Sequence, residues 1–275
     1  MTGNNMMILQ PRDRHLLTEL EVLRVIDREQ AKFVAGFHST TRANTRLLKL
    51  TQAGLLRRFF LGSEGAGRKA LYALSEKGAD LVGVRLRGPR RRQDASLVAD
   101  YFIEHQLTIN RIYCALKYRP LPGMTFHRWQ AFHEPITAGL RLIPDGYVEL
   151  ESPSGRISAF LEVDLGHENL KVWQEKVRNY LQLAISGTYP NRFRVLVLAN
   201  SERRAQSLRK CVAAMTGKIF WFRNLESSDR DGFFAPLWQR PRDDTRRPFE
   251  TNGEIAGRTK SETGNETNTT TENTL

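Results

Sequence analysis

Apolar residues in the first third recur at helical spacing. Leu16, Leu17, Leu20 and Leu23 line one face of a helix predicted over 12–25, and a short second helix follows over 28–34. Ser39-Thr40-Thr41 caps a third helix, Arg42 to Leu50, which stops at Gly54 and turns Leu47, Leu48 and Leu50 inward. Two strand-like runs, Arg57 to Leu61 and Arg68 to Leu74, flank a glycine-rich turn at 62–67, and a closing helix spans 79–84. Beyond this the pattern changes. A long amphipathic helix over 95–116 carries His105, which the pattern assigns a structural role beside Leu107 and Ile109. Strands are then predicted over 125–132, 147–150, 157–165, 192–198 and 218–222, with helices over 170–181 and 202–215. The apolar stripe of the 170–181 helix reads Leu170, Trp173, Val177 and Leu181. Phe233 to Trp238 reads as a last apolar segment against a sheet edge, and beyond Asp244 the polar chain is expected to be disordered.

This order implies an α/β protein in two parts. Three helices and a hairpin over 1–84 are the pattern of a winged-helix DNA-binding domain, and R-L-L-K-L-T-Q-A-G-L-L resembles that fold's third helix running into the wing. Residues 85–94, with Arg90-Arg91-Arg92, read as a basic linker. Residues 95–242 read as a mixed α/β sheet domain flanked by helices, and 243–275 as a disordered tail.

Charge adds a partner to this picture. The 275 residues carry a formal net charge of +12, and residues 1–94 hold 18 Lys or Arg against 9 Asp or Glu. An excess concentrated on the third helix and hairpin points to a polyanion, most simply double-stranded DNA. Thr41, Arg42, Asn44, Arg46 and Lys49 on the helix, with Arg68 and Lys69 at the hairpin, are the candidate contacts. No apolar run reaches the roughly 18 residues of a membrane span. Cys114 and Cys211 stand alone and read as reduced thiols of a cytoplasmic protein. The chain contains no H-x-H pair, no G-x-x-x-x-G-K-[ST] loop and no C-x-x-C, which argues against a histidine-metal relaxase, ATP use and structural zinc.

The chemistry concentrates between Leu142 and Tyr180. Pro144-Asp145-Gly146 is a tight turn into a strand, and a hairpin returns through Phe160-Leu161-Glu162-Val163-Asp164-Leu165. Alternation puts Glu162 and Asp164 on one face of that strand, and the hairpin can bring Asp145 beside Glu162. Glu134 is a further carboxylate within reach. Carboxylates gathered this way suit a hard cation, Mg²⁺ or Mn²⁺. Lys176 and Tyr180 lie one turn apart on the following helix, with Lys171 in reserve as the cation.

Pro-Asp, a hairpin and Glu-x-Asp on an apolar strand resemble the core of the PD-(D/E)XK nucleases. There the two acids hold a divalent ion and a lysine assists the attacking water. Asp164 stands at the position of that lysine, and some of those families carry the lysine on the next helix, which points to Lys176. More narrowly, P-D-G, E-V-D-x-G and K-x-x-x-Y together resemble the replication-relaxation family over roughly residues 12 to 225. That resemblance implies a plasmid or integrative-element protein with a winged helix and a nuclease-like domain.

Two functions follow as expectations. The first is a nickase or relaxase that binds an origin sequence and cleaves it with Mg²⁺ or Mn²⁺. It would use Asp145, Glu162 and Asp164 as ligands, Lys176 as the cation and Tyr180 as a packing group or nucleophile. The second is a DNA-binding initiator or regulator whose nuclease-like domain no longer cuts. Both readings allow a homodimer and an accessory mobilisation or replication protein.

Overall fold

The computed structural model describes residues 7–61, 69–87, 96–189 and 192–249. Its amino-terminal part contains α1 (Pro11–Leu23), β1 (Ile26–Asp27), α2 (Arg28–Val34), α3 (Thr40–Gln52), β2 (Leu56–Leu61), β3 (Lys69–Leu74) and α4 (Glu76–Val82). The three strands pair antiparallel in the order β1-β3-β2. Local chemistry sets the helix starts. Asp27 and Gln30 form a reciprocal cap on α2, and the Ser39 and Ser75 hydroxyls accept the Arg42 and Gly78 amide hydrogens that begin α3 and α4. Leu16, Leu20, Leu47 and Leu50 meet in the core as their spacing predicts, whereas Leu48 is 42 % exposed. One residue beyond Leu47 on α3, Leu48 is rotated about 100° off the buried face.

The second part runs α5 (Ser96–Tyr118), β4 (Thr125–Gln130), β5 (Gly146–Ser152), β6 (Gly155–Asp164), α6 (Leu170–Ser186), β7 (Phe193–Ala199), α7 (Glu202–Ala213), β8 (Phe220–Asn224), α8 (Leu225–Asp231), β9 (Trp238–Arg240) and β10 (Asp243–Arg247). Among the described residues its strands form one seven-stranded sheet, ordered β10-β9-β8-β7-β6-β5-β4. β6, β7 and β8 run parallel at the centre, and antiparallel strands lie to either side. Helices cover both faces. α6 and α7 pack on the side of Phe160 and Val195, and α5 on the side of Leu161 and Val163. β6 therefore has no wet face, and its acidic residues are buried with the rest.

α5 belongs to both parts. Tyr113 and Cys114 enter the amino-terminal core, while Ile109, Ile112 and Leu116 enter the sheet core. Asn110 Nδ2 donates to the carbonyls of Leu23 (2.9 Å) and Val25 (2.6 Å), and Gln30 Nε2 donates to that of Leu107 (2.8 Å). The buried Glu19 carboxylate accepts from Tyr113 (2.6 Å), Tyr118 (2.9 Å) and Lys117 (2.7 Å). A domain boundary in front of α5 thus separates the chain but not the packing. Most of the expected linker, 88–94, lies outside the described residues.

The far end also differs from expectation. β10 pairs with β9, and Phe249 is fully buried against Phe233, Phe234 and Trp238, so ordered chain runs past the expected boundary at 242. One aromatic in a polar stretch is a weak sequence signal, yet it completes an aromatic cluster. The expected disordered tail from 250 onward lies outside the described residues. Phe249→Ala should cost about 3–5 kcal/mol of unfolding free energy, read from urea denaturation. A loss under about 1 kcal/mol would show the cluster is complete without it.

Candidate functional site

The site forms where β5 starts and β6 ends. The Asp145 amide hydrogen bonds to the Leu161 carbonyl (3.1 Å), so the turn at Pro144 is held to β6. Asp145 Oδ2 then accepts from the Val163 amide (2.7 Å). Gly146 lets Trp129 lie against the start of β5, since a Cβ there would sit 2.3 Å from the indole.

Glu162 is 1 % exposed, and both its oxygens are taken from α6. Lys176 Nζ donates to Oε2 at 2.8 Å and the Tyr180 hydroxyl to Oε1 at 2.6 Å. Lys176 also lies 2.8 Å from Glu168 Oε2. Trp173, Val177, Tyr180 and Leu183 form the buried stripe of α6, while Leu170 is 40 % exposed. Tyr180, absent from the expected apolar stripe, thus lies in the core. Its hydroxyl is wholly buried and committed to Glu162, which gives it an orienting role and leaves it out of reach as a nucleophile.

Asp164 shares the strand but not the cluster. Arg204, from the first turn of α7, grips it through Nε (2.9 Å) and Nη2 (2.8 Å), Trp173 Nε1 donates at 2.6 Å, and the Gly166 amide at 2.7 Å. This replaces the expected ligand role of Asp164 with a buried ion pair that joins β6, α6 and α7. Glu134 is exposed. Lys171 is also exposed, and Lys176 is the lysine of α6 that contacts Glu162.

His105 enters from α5 on the opposite side. Its Nε2 lies 2.9 Å from the Val163 carbonyl and 3.3 Å from Asp145 Oδ2, so this nitrogen carries a proton shared between two acceptors. The spacing on α5 assigned His105 a bland structural role and gave no sign of this contact, because Asp145 lies forty residues along the chain. Arg204 had a detectable signal. A buried acid on a central strand requires a cation, and Arg203-Arg204 opens the helix after the neighbouring strand.

The electrostatics follow from burial and pairing. Burial pushes Glu162 up, Lys176 opposes it and Asp145 adds to it, leaving the group at about 7. Burial would also raise Asp145, but the charge and hydrogen bond of His105, with Lys176, hold it below the ordinary aspartate range. Burial would lower His105, and Asp145 with the Val163 carbonyl instead brings it to about 9. Lys176 is likewise raised against burial by Glu162, Asp145 and Glu168. The cluster therefore sets the imidazolium of His105 and the ammonium of Lys176 against Asp145, Glu162 and Glu168. Among the described residues, no three His, Cys, Asp or Glu side chains are gathered as a metal-holding group.

A protein-family profile described as replication-relaxation matches residues 17–196, from α1 through most of β7. The chain belongs to the replication-relaxation family. No curated protein and no solved structure matches it. In this replication-relaxation protein the matched region contains Asp145, Glu162, Lys176, Tyr180 and His105, while Arg204 falls outside it. Among the described residues no helix is long and apolar enough to cross a membrane.

The expected DNA-contacting residues separate into groups. Thr41, Arg42, Asn44 and Lys49 are exposed on α3. Arg46 is turned inward to the buried Asp13 (Nε to Oδ1, 2.8 Å) and the Ile8 carbonyl (2.7 Å), so it fastens α3 to α1. Lys69 pairs with Asp27, although its side chain stays 52 % exposed. Arg68 lies outside the described residues.

Asp164 offers a pH test of the site's framework. Burial would raise its pKa, but Arg204, Trp173 and the Gly166 amide lower it below the ordinary value of 3.8. A carboxylate depressed on folding contributes stability that is complete well above 3.8 and is lost as pH falls through the folded-state value. Asp164→Asn should cost about 3 kcal/mol at pH 7, and its difference from wild type should shrink below pH 3.8. Denaturation curves at pH 7, 5 and 3 measure this, and a difference independent of pH would exclude the ion pair as its source.

Proposed function

We propose that this protein binds a specific double-stranded DNA sequence, such as an origin on a plasmid or mobile element, and cleaves a phosphodiester bond there. The observation that carries this reading is the Lys176–Glu162 contact at 2.8 Å. It puts a lysine from the following helix beside the acid of β6, although the strand position two residues on is Asp164. Asp145 reaches the same end of β6 through the Val163 amide.

The residues present suit a hard cation of the Mg²⁺ type, which takes one or two carboxylates and completes its shell with water and phosphate oxygens. Burial holds Glu162 raised to about 7 even with Lys176 in contact, and the neighbouring Asp145 adds to the rise, so the two acids stand close enough to act on one another. Asp145 and Glu162 would hold Mg²⁺ or Mn²⁺, and Asp164, engaged by Arg204, would not. When bound, the ion would offset charge on the scissile phosphate and acidify a water. Lys176 stabilises negative charge building on the phosphate, Tyr180 fixes the rotamer of Glu162, and His105 orients Asp145. A hydrolytic cut follows, since Tyr180 is buried.

The amino-terminal part supplies recognition. Its order of helix, strand, two helices and hairpin, with the sheet β1-β3-β2, fits a winged helix, and α3 presents Arg42, Asn44 and Lys49 outward. The ion pair of Asp164 with Arg204 favours a second reading, a DNA-binding initiator or regulator with a silent nuclease-like site, because the strand lacks a lysine at that position. An accessory protein or a second copy of the chain fits either reading.

Two measurements test this. Arg42→Ala and Lys49→Ala should each weaken origin binding in gel shifts about tenfold without lowering the melting temperature, whereas Arg46→Ala should lower stability by about 2–3 kcal/mol. Unchanged binding in the Arg42/Lys49 double variant would remove α3 as the reader. Supercoiled plasmid carrying the cognate origin should be nicked in Mg²⁺ or Mn²⁺ and not in EDTA. Glu162→Gln and Lys176→Ala should reduce nicking at least 100-fold while retaining binding. Tight binding with no nicking under any metal would leave the initiator reading.

A further inference from the structure

α3 carries different chemistry on its two sides. Towards α1, Arg42 and Lys49 stand two turns apart along a hollow of about 300 Å³. Arg12, from the first turn of α1, lines the same hollow. Its guanidinium carbon lies 5.2 Å from the centroid of the Phe37 ring, and its Nε donates to Gln10 Oε1 at 2.7 Å. That fixes the guanidinium and leaves its two terminal nitrogens unengaged among the described residues. The charged groups of Arg42 and Lys49 are exposed and likewise unengaged among those residues. Asp13, the acid of the first turn of α1, is buried and neutralised by Arg46, so it does not oppose an anion here. The rest of the outward face of α3 is uncharged, with Thr41, Asn44, Thr45 and Leu48 all exposed. Asn44 comes two residues after Arg42, about 200° round the helix, and Leu48 follows one turn later on Asn44's side.

We infer that α3 divides its contacts with duplex DNA: Arg42 and Lys49, with Arg12 of α1, hold phosphates of one strand, while Asn44 and Leu48 read an adenine and a thymine methyl. The inference rests on the reading of DNA as this protein's partner and names the bases that α3 recognises. A helix lying in the major groove turns its flanks to the phosphates and its outward crest to the base edges. Three free cations on one flank suit a row of phosphates, which carry charge and no sequence information. Leu48 has nothing to offer a phosphate, and among base edges in that groove thymine presents a methyl group. The Asn44 carboxamide has one acceptor and a donor side by side, which matches N6 and N7 of adenine. Four residues of helix rise about 6 Å, so the two bases fall within about two base pairs of one another. The exposed Leu48, which adds nothing to the core, thereby acquires a partner.

The test uses the full chain in EDTA to select from a pool of randomised duplexes, so that no cleavage is involved. Wild type should enrich a motif with a fixed adenine and, within about two base pairs, a fixed thymine. Asn44→Ala should lose its preference for that adenine, a change of about tenfold in relative affinity. Exchanging the thymine for uracil removes only the methyl group; it should weaken wild type about threefold and leave Leu48→Ala indifferent. Arg12→Gln should select the wild-type motif, bind selected and unselected duplexes alike about threefold more weakly, and reduce the salt slope by about one. All three side chains are exposed, so the melting temperatures should stay level. A wild-type motif kept by both Asn44→Ala and Leu48→Ala would overturn the assignment and leave DNA binding intact, as would a changed motif in Arg12→Gln. A wild-type protein that enriches no motif would overturn sequence-specific binding and this assignment together.

Discussion

Two carboxylates on β6 are taken out of water by helices on both sides of the sheet, and an ionised acid in that position is tolerated only with a partner in contact. Glu162 finds Lys176 and Tyr180 on α6, and Asp164 finds Arg204 on α7 and Trp173 on α6. Each pair fixes the rotation of a helix about its own axis, because a helix turned by one residue would present a different side chain to the strand. The packing of α6 and α7 on the central strands is thus set by charge as well as by apolar area. The two acids have different fates despite equivalent positions. Asp164 has a guanidinium fork that matches both oxygens, which makes it a fastener. Glu162 has a point-charge ammonium shared with Glu168 and a repelling neighbour in Asp145, and burial with that repulsion keeps its pKa raised.

Much of this was legible in the residue order. Leucine spacing located α1 and α3, the Pro144-Gly146 turn located β5, and the four-residue step from Lys176 to Tyr180 put both groups within reach of β6. What escaped the reading depended on distant contacts. His105 meets Asp145 through the crossing of α5 over β6, which no local spacing encodes. Arg46 sits among exposed neighbours on α3 and reads as a surface cation, yet the buried Asp13 of α1 draws it inward. Phe249 looked like part of a polar tail because one aromatic residue barely changes local hydropathy. Its partners lie at 233–238, and the cluster they form is visible only after the chain turns back through β10.

The amino-terminal part meets α5 through buried apolar side chains, Val25 and Leu71 against Ile103 and Leu107, and through shared polar contacts. Asn110 and Gln30 satisfy main-chain groups across the junction, and Glu19 collects two phenols and an ammonium. Such contacts lose their full value when one partner is removed, so they hold one relative placement of the parts instead of a range. Under the proposed function, α3 tied in this way would present DNA to the acids at a fixed distance and angle.

The double membership of α5 also constrains how this architecture can diversify. A reader joined to its effector by a free tether can be exchanged whole for another reader. Here the same helix completes both cores, so a transplanted amino-terminal part would need its own match to Tyr113, Cys114 and the Glu19 network before the chain could fold. Under the proposed function, new target sequences would be reached by changing the outward side chains of α3, which contribute nothing to either core. Lineages built on this plan should therefore keep their seam and vary their reading face.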